Sequence, residues 1–131
     1  MIVVDTNIVV RFAVNDDAKQ AAIARALFEN QSVVISRTVA LETEWVLRSR
    51  YGKGRKQIAE YFNKLLAMKG VRIEAESAFR SAVEWYAAGD DFSDALHLAN
   101  AGAVPFYTFD SEFCKNAIAR GEAPAVVNPA K

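Results

Sequence analysis

The sequence predicts an α/β domain of three layers, in which helices cover both faces of a central, mostly parallel sheet of four or five strands. Short apolar runs alternate with amphipathic helical segments, and this alternation requires crossover connections between parallel strands. A length of 131 residues with 52% apolar side chains fits one globular core. Because no repeat, linker or low-complexity segment interrupts the pattern, we expect a single domain over residues 1–131.

Each element follows from a local pattern. Five apolar runs rich in β-branched and aromatic residues are the expected strands, at 2–4, 33–35, 71–73, 106–109 and 125–127. Apolar side chains at helical spacing predict helices over 17–29, 37–50 and 111–120, and three more that end near Gly70, at Gly89 and at Gly102. Ser36 is the expected N-cap of the helix that begins at Arg37.

Composition restricts the compartment and the partners. A single cysteine, Cys114, cannot form an intramolecular disulfide, and the N-terminus lacks the pattern of a signal peptide. No apolar run approaches the ~20 residues that cross a bilayer. We therefore expect a cytoplasmic protein that does not contact a membrane. The 16 basic side chains balance 16 acidic ones, which argues against duplex DNA held by a basic face.

Acidic residues stand directly after two of the predicted strands. Asp5 follows the first strand and Asp110 follows the fourth. Because sites of open parallel sheets form beyond the carboxyl ends of the strands, both side chains are expected at the same edge. The alternative is that each carboxylate only caps a turn or a helix.

The helix over 37–50 carries two glutamates with opposite predicted environments. With Val39 at zero on a helical wheel of about 100° per residue, Glu42 falls near ~300°, inside an apolar arc. Glu44 falls near ~140°, on the polar arc, where an i,i+4 pair with Arg48 is natural. The wheel therefore predicts that Glu42 faces the body of the domain and that Glu44 is solvated.

Asp94 is likewise predicted to face the body of the domain. It lies in the first turn of the helix that ends at Gly102 and shares a face with Leu98 and Ala101. Asp91 or Ser93 is the expected cap there, and Asp94 the functional group. Four acids that converge at one sheet edge repel one another unless a cation joins them. Oxygen-only ligands, without a histidine or cysteine cluster, suit Mg²⁺ or Mn²⁺ rather than zinc.

Four segments in order resemble the PIN-domain ribonucleases and, within them, the VapC-type toxins of toxin–antitoxin pairs. The matching segments are Val3-Val4-Asp5-Thr6-Asn7, Leu41-Glu42-Thr43-Glu44-Trp45, Asp91-Phe92-Ser93-Asp94-Ala95-Leu96-His97 and Thr108-Phe109-Asp110-Ser111-Glu112-Phe113. Each is weak alone, but together they span residues 3–113 in the family's order.

The resemblance implies a metal-dependent endoribonuclease. Its metal-binding and catalytic acids match Asp5, Glu42, Asp94 and Asp110, which would hold one or two ions of Mg²⁺ or Mn²⁺. The resemblance also implies a cognate antitoxin that blocks the site, and a homodimer. Asp91 competes with Asp94 for the third position, and Glu112 competes with Asp110 for the fourth.

The chemistry of the residues agrees with metal dependence. His97 is the only histidine, so a nuclease that uses a pair of histidines as acid and base is excluded. Water activated by metal would leave 5′-phosphate and 3′-hydroxyl ends. Thr6, Asn7 and Thr108 are expected to orient the carboxylates, as are Asp91 and Glu112 where they are not ligands themselves.

A cationic run is the expected contact with RNA. Arg48, Arg50, Lys53, Arg55 and Lys56 lie together around two glycines without an intervening acid. Lys115, just after the last acid of the motif, is a further candidate. The alternative for this run is a solvated face.

Two other functions fit parts of the sequence. A receiver-like phosphoacceptor domain shares the length, the alternating elements and an acidic Mg²⁺ pocket. It requires an aspartate at the end of a middle strand, where this chain has Glu74. A PIN-like module that binds RNA or a partner without cutting is the second alternative.

Overall fold

A computed structural model describes residues 1–121 and 125–131 of the chain. Seven helices and five short strands follow one another in these residues. The strands are β1 (Ile2–Val3), β2 (Val33–Ile35), β3 (Val71–Ile73), β4 (Phe106–Tyr107) and β5 (Val126–Val127). The helices are α1 (Thr6–Ala13), α2 (Ala18–Asn30), α3 (Arg37–Ser49), α4 (Arg55–Ala67), α5 (Glu76–Ala87), α6 (Phe92–Asn100) and α7 (Ser111–Arg120).

The α/β class predicted from the sequence is confirmed, but the central sheet is smaller than expected. It has three parallel strands in the order β1-β2-β3, with Val33 of β2 opposite both Ile2 and Val71. Strands β4 and β5 form a separate parallel pair in which Phe106 lies opposite Val126. The prediction of one sheet of four or five strands is therefore wrong in size, because the last two strands pair only with each other in the described residues.

Two apolar clusters fill the interior. The larger one joins the three-stranded sheet to helices α1 to α6, and its centre is a set of aromatic rings in which Phe62 stacks on Phe92 at a centroid distance of 5.1 Å. Phe79 meets the edge of both rings. The smaller cluster contains Phe113 and Cys114 of α7. Trp85 packs against both clusters and so links the C-terminal elements to the main core.

Short polar side chains cap five of the seven helices in the described residues, whereas Gly54 precedes α4 and Ala75 precedes α5. Asp17 accepts a hydrogen bond from the backbone N–H of Gln20 at 3.0 Å, and Ser36 accepts one from Val39 at 3.2 Å. The cap predicted at Ser36 is confirmed. None of the helices in the described part of the chain combines the length and the apolar character needed to cross a bilayer.

Helix α1 is an element that the sequence analysis did not predict. The run Ile8-Val9-Val10 is β-branched and resembles a strand, yet it lies in a helix that Asp5 caps. Tertiary packing overrides the local propensity here, because Val9 and Val10 are both buried in the main core.

Candidate active site

Five carboxylates line one open pocket, which we call the acidic pocket. Its lining residues are Arg48, Arg55, Gly89, Asp90, Asp91, Asp94, Asp110, Glu112, Phe113 and Asn116, around a volume of about 380 Å³. Helices α3, α4, α6 and α7 and the segment before α6 contribute to it. Residues separated by more than sixty positions in the chain therefore meet at one surface.

Helix caps hold two of these carboxylates in place. Asp91 caps α6 by accepting a hydrogen bond from the N–H of Asp94 at 3.1 Å, and Asp110 caps α7 by accepting one from Phe113 at 2.9 Å. The positive ends of both helix dipoles favour these negative charges. Asp91 is thus the cap of α6, as expected, and Asp94 is the half-buried acid one turn further on.

The acids of the pocket repel one another. Burial raises the pKa of Asp94 above 3.8, and the negative charges of Asp91 and Asp110 raise it further, whereas His97 opposes the shift. A raised pKa caused by desolvation together with like charges is typical of a site that holds a cation or performs acid–base chemistry.

Glu42 lies beside this pocket, and Asp5, the residue before α1, lines a different cavity. Glu42 lines an adjoining pocket that shares Asp91 and Arg48 with the acidic pocket. Its carboxylate accepts a short hydrogen bond from the hydroxyl of buried Thr6. The exposed Asp5 caps α1 and lines a third cavity.

The two glutamates of α3 have environments opposite to those predicted. Glu44 is buried, with 4% of its surface exposed, and Glu42 is exposed. The residues of α3 that face the core are Ala40, Thr43, Glu44 and Leu47. The helical wheel takes Val39 as the centre of the buried face, whereas the residues that are buried centre about 90° away from Val39, between Leu47 and Ala40.

Burial of Glu44 depends on the partners of its carboxylate. Arg48 donates to it at 2.8 Å from the next turn, so the predicted i,i+4 pair is confirmed. The buried hydroxyl of Tyr86 donates to the same oxygen at 3.1 Å. Hydrogen bonding to Glu44 raises the pKa of Arg48, which keeps this guanidinium charged at the rim of the acidic pocket.

Asp90 is a member of the acidic pocket that the sequence did not reveal, and it lies there with Arg55, one of the predicted RNA contacts. The Asp90 side chain is 2% exposed and pairs with Arg120 at short range. Burial raises its pKa, and the charge of Arg120 opposes that shift. Arg55 donates to the backbone carbonyl of Tyr86 at 2.7 Å and lies 4.7 Å above the Tyr86 ring. The only signal in the sequence was the adjacent pair of aspartates.

The cationic candidates separate into three groups. Arg48 and Arg55 line the acidic pocket. Arg50 lies over the ring of Trp45, and Lys53 lines a different cavity beside Tyr61. Lys56 and Lys115 are exposed on α4 and α7 and line none of these pockets.

The remaining candidates, which differ in their contacts, are Thr108, Glu112, Asn7 and His97. Thr108 accepts a hydrogen bond from the N–H of Asp110 at 3.1 Å, and Glu112 lines the acidic pocket. Asn7 lines the cavity that contains Asp5. His97 contacts Ser93 at 3.3 Å on the exposed side of α6.

The carboxylate oxygens of the acidic pocket are suitable ligands for a hard divalent cation, although they do not surround a single position. Residues 1–121 and 125–131 contain no three acidic, histidine or cysteine side chains close enough together to hold one metal ion. The pocket nevertheless offers carboxylate oxygens that repel one another, and carboxylate oxygens are the ligands that Mg²⁺ and Mn²⁺ prefer.

An α/β fold with an acidic pocket at the starts of α6 and α7 is consistent with a nuclease-type domain. A family model described as PIN domain matches residues 2–119. The chain therefore belongs to the PIN domain family, whose members are generally metal-dependent nucleases that act on RNA. Comparisons with curated proteins and with solved structures found no match.

Proposed function

We propose that the chain is a metal-dependent endoribonuclease and the toxin of a type II toxin–antitoxin pair. The observation that carries the proposal is the acidic pocket, in which Asp94 is desolvated and faces the charges of Asp91 and Asp110. Such repulsion is costly in the folded protein unless a cation offsets it, and the PIN family supplies the reaction class.

The proposed ligands are Asp5, Glu42, Asp94 and Asp110. Thr6 supports the role of Glu42, because its hydroxyl donates to that carboxylate from the residue next to Asp5. The caps of α1 and α7 restrain Asp5 and Asp110 at the ends of β1 and β4. A bound Mg²⁺ or Mn²⁺ would lower the pKa of a water molecule and stabilise the leaving oxygen.

Two arginines support RNA as the substrate. Arg48 and Arg55 stand at the rim of the same pocket, where a guanidinium suits bidentate contact with a phosphate. In the proposed reaction, water attacks phosphorus in line and the bond to the 3′ oxygen breaks. The products are a 5′-phosphate and a 3′-hydroxyl.

The decisive experiment is incubation of the purified protein with transfer RNA and messenger RNA, with and without Mg²⁺ or Mn²⁺. We expect cleavage only with metal, and its loss in Asp5→Ala and Asp94→Asn. Glu29→Gln is the matched control, because Glu29 is an exposed acid on α2, outside the pocket. Cleavage without metal, or 2′,3′-cyclic phosphate ends, would contradict the proposal.

The toxin role rests on the resemblance to VapC-type proteins and needs its own test. Induced expression in a bacterial host should stop growth, and Asp94→Asn should abolish that effect. A short reading frame beside the gene, which restores growth when co-expressed, is the expected antitoxin. The proposed homodimer would appear as a doubled mass in sedimentation equilibrium.

One observation favours a second function, a PIN-like module that binds RNA or a partner without cutting. The acids in the described residues are not close enough to hold an ion without rearrangement. Under this alternative, RNA binding would be the same with and without metal and no product would form. The receiver-like alternative receives no support from the family match.

A further inference from the structure

A second pocket opens directly beside the acidic pocket and has a different character. It encloses about 390 Å³ and shares Arg48 and Asp91 with the acidic pocket. Its wall includes Leu41 and Trp45, which lie one turn apart on α3. We call it the tryptophan pocket. Its volume lies within the range of ~300–1,000 Å³ that is common for ligand sites.

Trp45 is the exposed tryptophan of the two in the sequence. It is 49% exposed, whereas the other tryptophan, Trp85, packs against both apolar clusters. The buried face of α3 lies on the other side of the helix, at Ala40, Thr43 and Leu47. Arg50 lies over one face of the ring, and the other face offers a flat apolar surface on which another ring can stack.

Carboxylates and cations both surround Trp45. Glu42, Glu44 and Asp91 line the tryptophan pocket together with Arg48, whose side chain pairs with Glu44 but is 51% exposed and so can still meet a phosphate. The guanidinium of Arg50 lies 5.8 Å from the Trp45 ring, and Arg48 stands one turn away on the same helix. Proteins that bind single-stranded nucleic acid combine such aromatic surfaces with cations that contact the backbone. Positions i and i+3 of a helix are neighbours, so Trp45 and Arg48 can contact the base and the phosphate of one nucleotide.

We propose that the tryptophan pocket binds one unpaired nucleobase of the RNA, stacked on Trp45, while Arg48 contacts the adjoining phosphate. This inference rests on the proposed ribonuclease function. It identifies the substrate as single-stranded at the position that enters the pocket, because a paired base cannot expose its face to a side chain. Trp45 is then a determinant of substrate position and specificity.

Fluorescence of Trp45 tests the proposal directly. A Trp85→Phe variant leaves Trp45 as the only tryptophan, and titration with single-stranded RNA hexamers in EDTA excludes cleavage. We expect quenching of the fluorescence on binding. In Trp45→Ala the Kd, measured by fluorescence anisotropy of labelled RNA, should rise about tenfold, since ~1.4 kcal/mol lies in the range for stacking of one base.

Two controls separate stacking from a change in the protein. Trp45→Phe keeps an aromatic face and should retain most of the affinity that Trp45→Ala loses. A set of hexamers with one abasic position each leaves the protein unchanged, and one of them should bind the wild type as weakly as the intact hexamer binds Trp45→Ala. Equal binding of all these ligands and variants would overturn the proposal.

The outcomes also distinguish this inference from the proposed function. If the wild type cleaves RNA with Mn²⁺, and Trp45→Ala binds and cleaves with unchanged Kd and kcat/KM, the stacking site alone is wrong. If the wild type binds RNA but no metal produces cleavage, the ribonuclease proposal fails and the stacking result stands. If Trp45→Ala dissociates a homodimer without changing RNA affinity, the pocket is a protein contact and the inference is overturned.

Discussion

Replacing Glu44 by glutamine tests the orientation of α3, which decides which glutamate is available to the active site. The carboxylate is 4% exposed and accepts hydrogen bonds from Arg48 and from Tyr86. The Arg48 side chain is 51% exposed, so solvent screens that pair and its contribution is only about 0.5 kcal/mol. The bond from the buried Tyr86 hydroxyl to a charged oxygen contributes roughly 1.5 kcal/mol.

Glu44→Gln should therefore lower the free energy of unfolding by about 1–2 kcal/mol, since the amide keeps the shape and one acceptor but loses the charge. Urea unfolding followed by circular dichroism measures this difference. Glu42→Gln is the matched control on the same helix, and because Glu42 is exposed it should stay within about 0.5 kcal/mol of the wild type. Equal stability of the two variants would refute the observed orientation of α3.

Three further predictions follow from the acids of the pocket. The folded protein holds the Asp94 proton more tightly than the unfolded chain, so the stability of the metal-free protein falls as pH rises from 3.8 through the raised pKa. Asp94→Asn should be more stable than wild type at pH 7 and equal to it below about pH 3 in thermal unfolding. Asp90→Ala should cost only about 1 kcal/mol in urea unfolding, because the burial that raises the Asp90 pKa offsets much of its pairing with Arg120, which stays 27% exposed to solvent. Asp110→Ala should cost about 1 kcal/mol through loss of the α7 cap, in addition to abolishing cleavage.

Much of the fold follows from local signals that the sequence carries openly. Apolar runs such as Val33–Ile35 and Val71–Ile73 form strands because β-branched side chains pack well between two layers. Ser36 begins a helix because its hydroxyl satisfies a free N–H group. The pairing of β4 with β5 alone was not predictable, since no local pattern specifies which strands become neighbours.

The candidate site was predicted in part, for a similar reason. Of the four predicted ligands, Asp94 and Asp110 line one pocket, whereas Glu42 lines the adjoining pocket and Asp5 lines a third cavity. The burial of Glu44 was missed because it depends on Tyr86, which is 42 residues away in the chain and supplies the second hydrogen bond. A helical wheel contains only the spacing along one helix and cannot include such a partner.

The exposure of Trp45 has the same origin as the burial of Glu44. The structure leaves the Trp45 ring 49% exposed next to the acids. The packing of α3 against α1 and α6 determines its rotation about its own axis, and that packing is a tertiary property.

A crystal soaked in Mn²⁺ and measured at the manganese absorption edge tests the central claim most directly. We expect an anomalous peak in the acidic pocket, with carboxylate oxygens of Asp94 and Asp110 as direct ligands, and its loss in Asp94→Asn. A pocket without a peak, in which these carboxylates instead pair with Arg48 and Arg55, would contradict the proposal that this protein uses a metal ion to cut RNA.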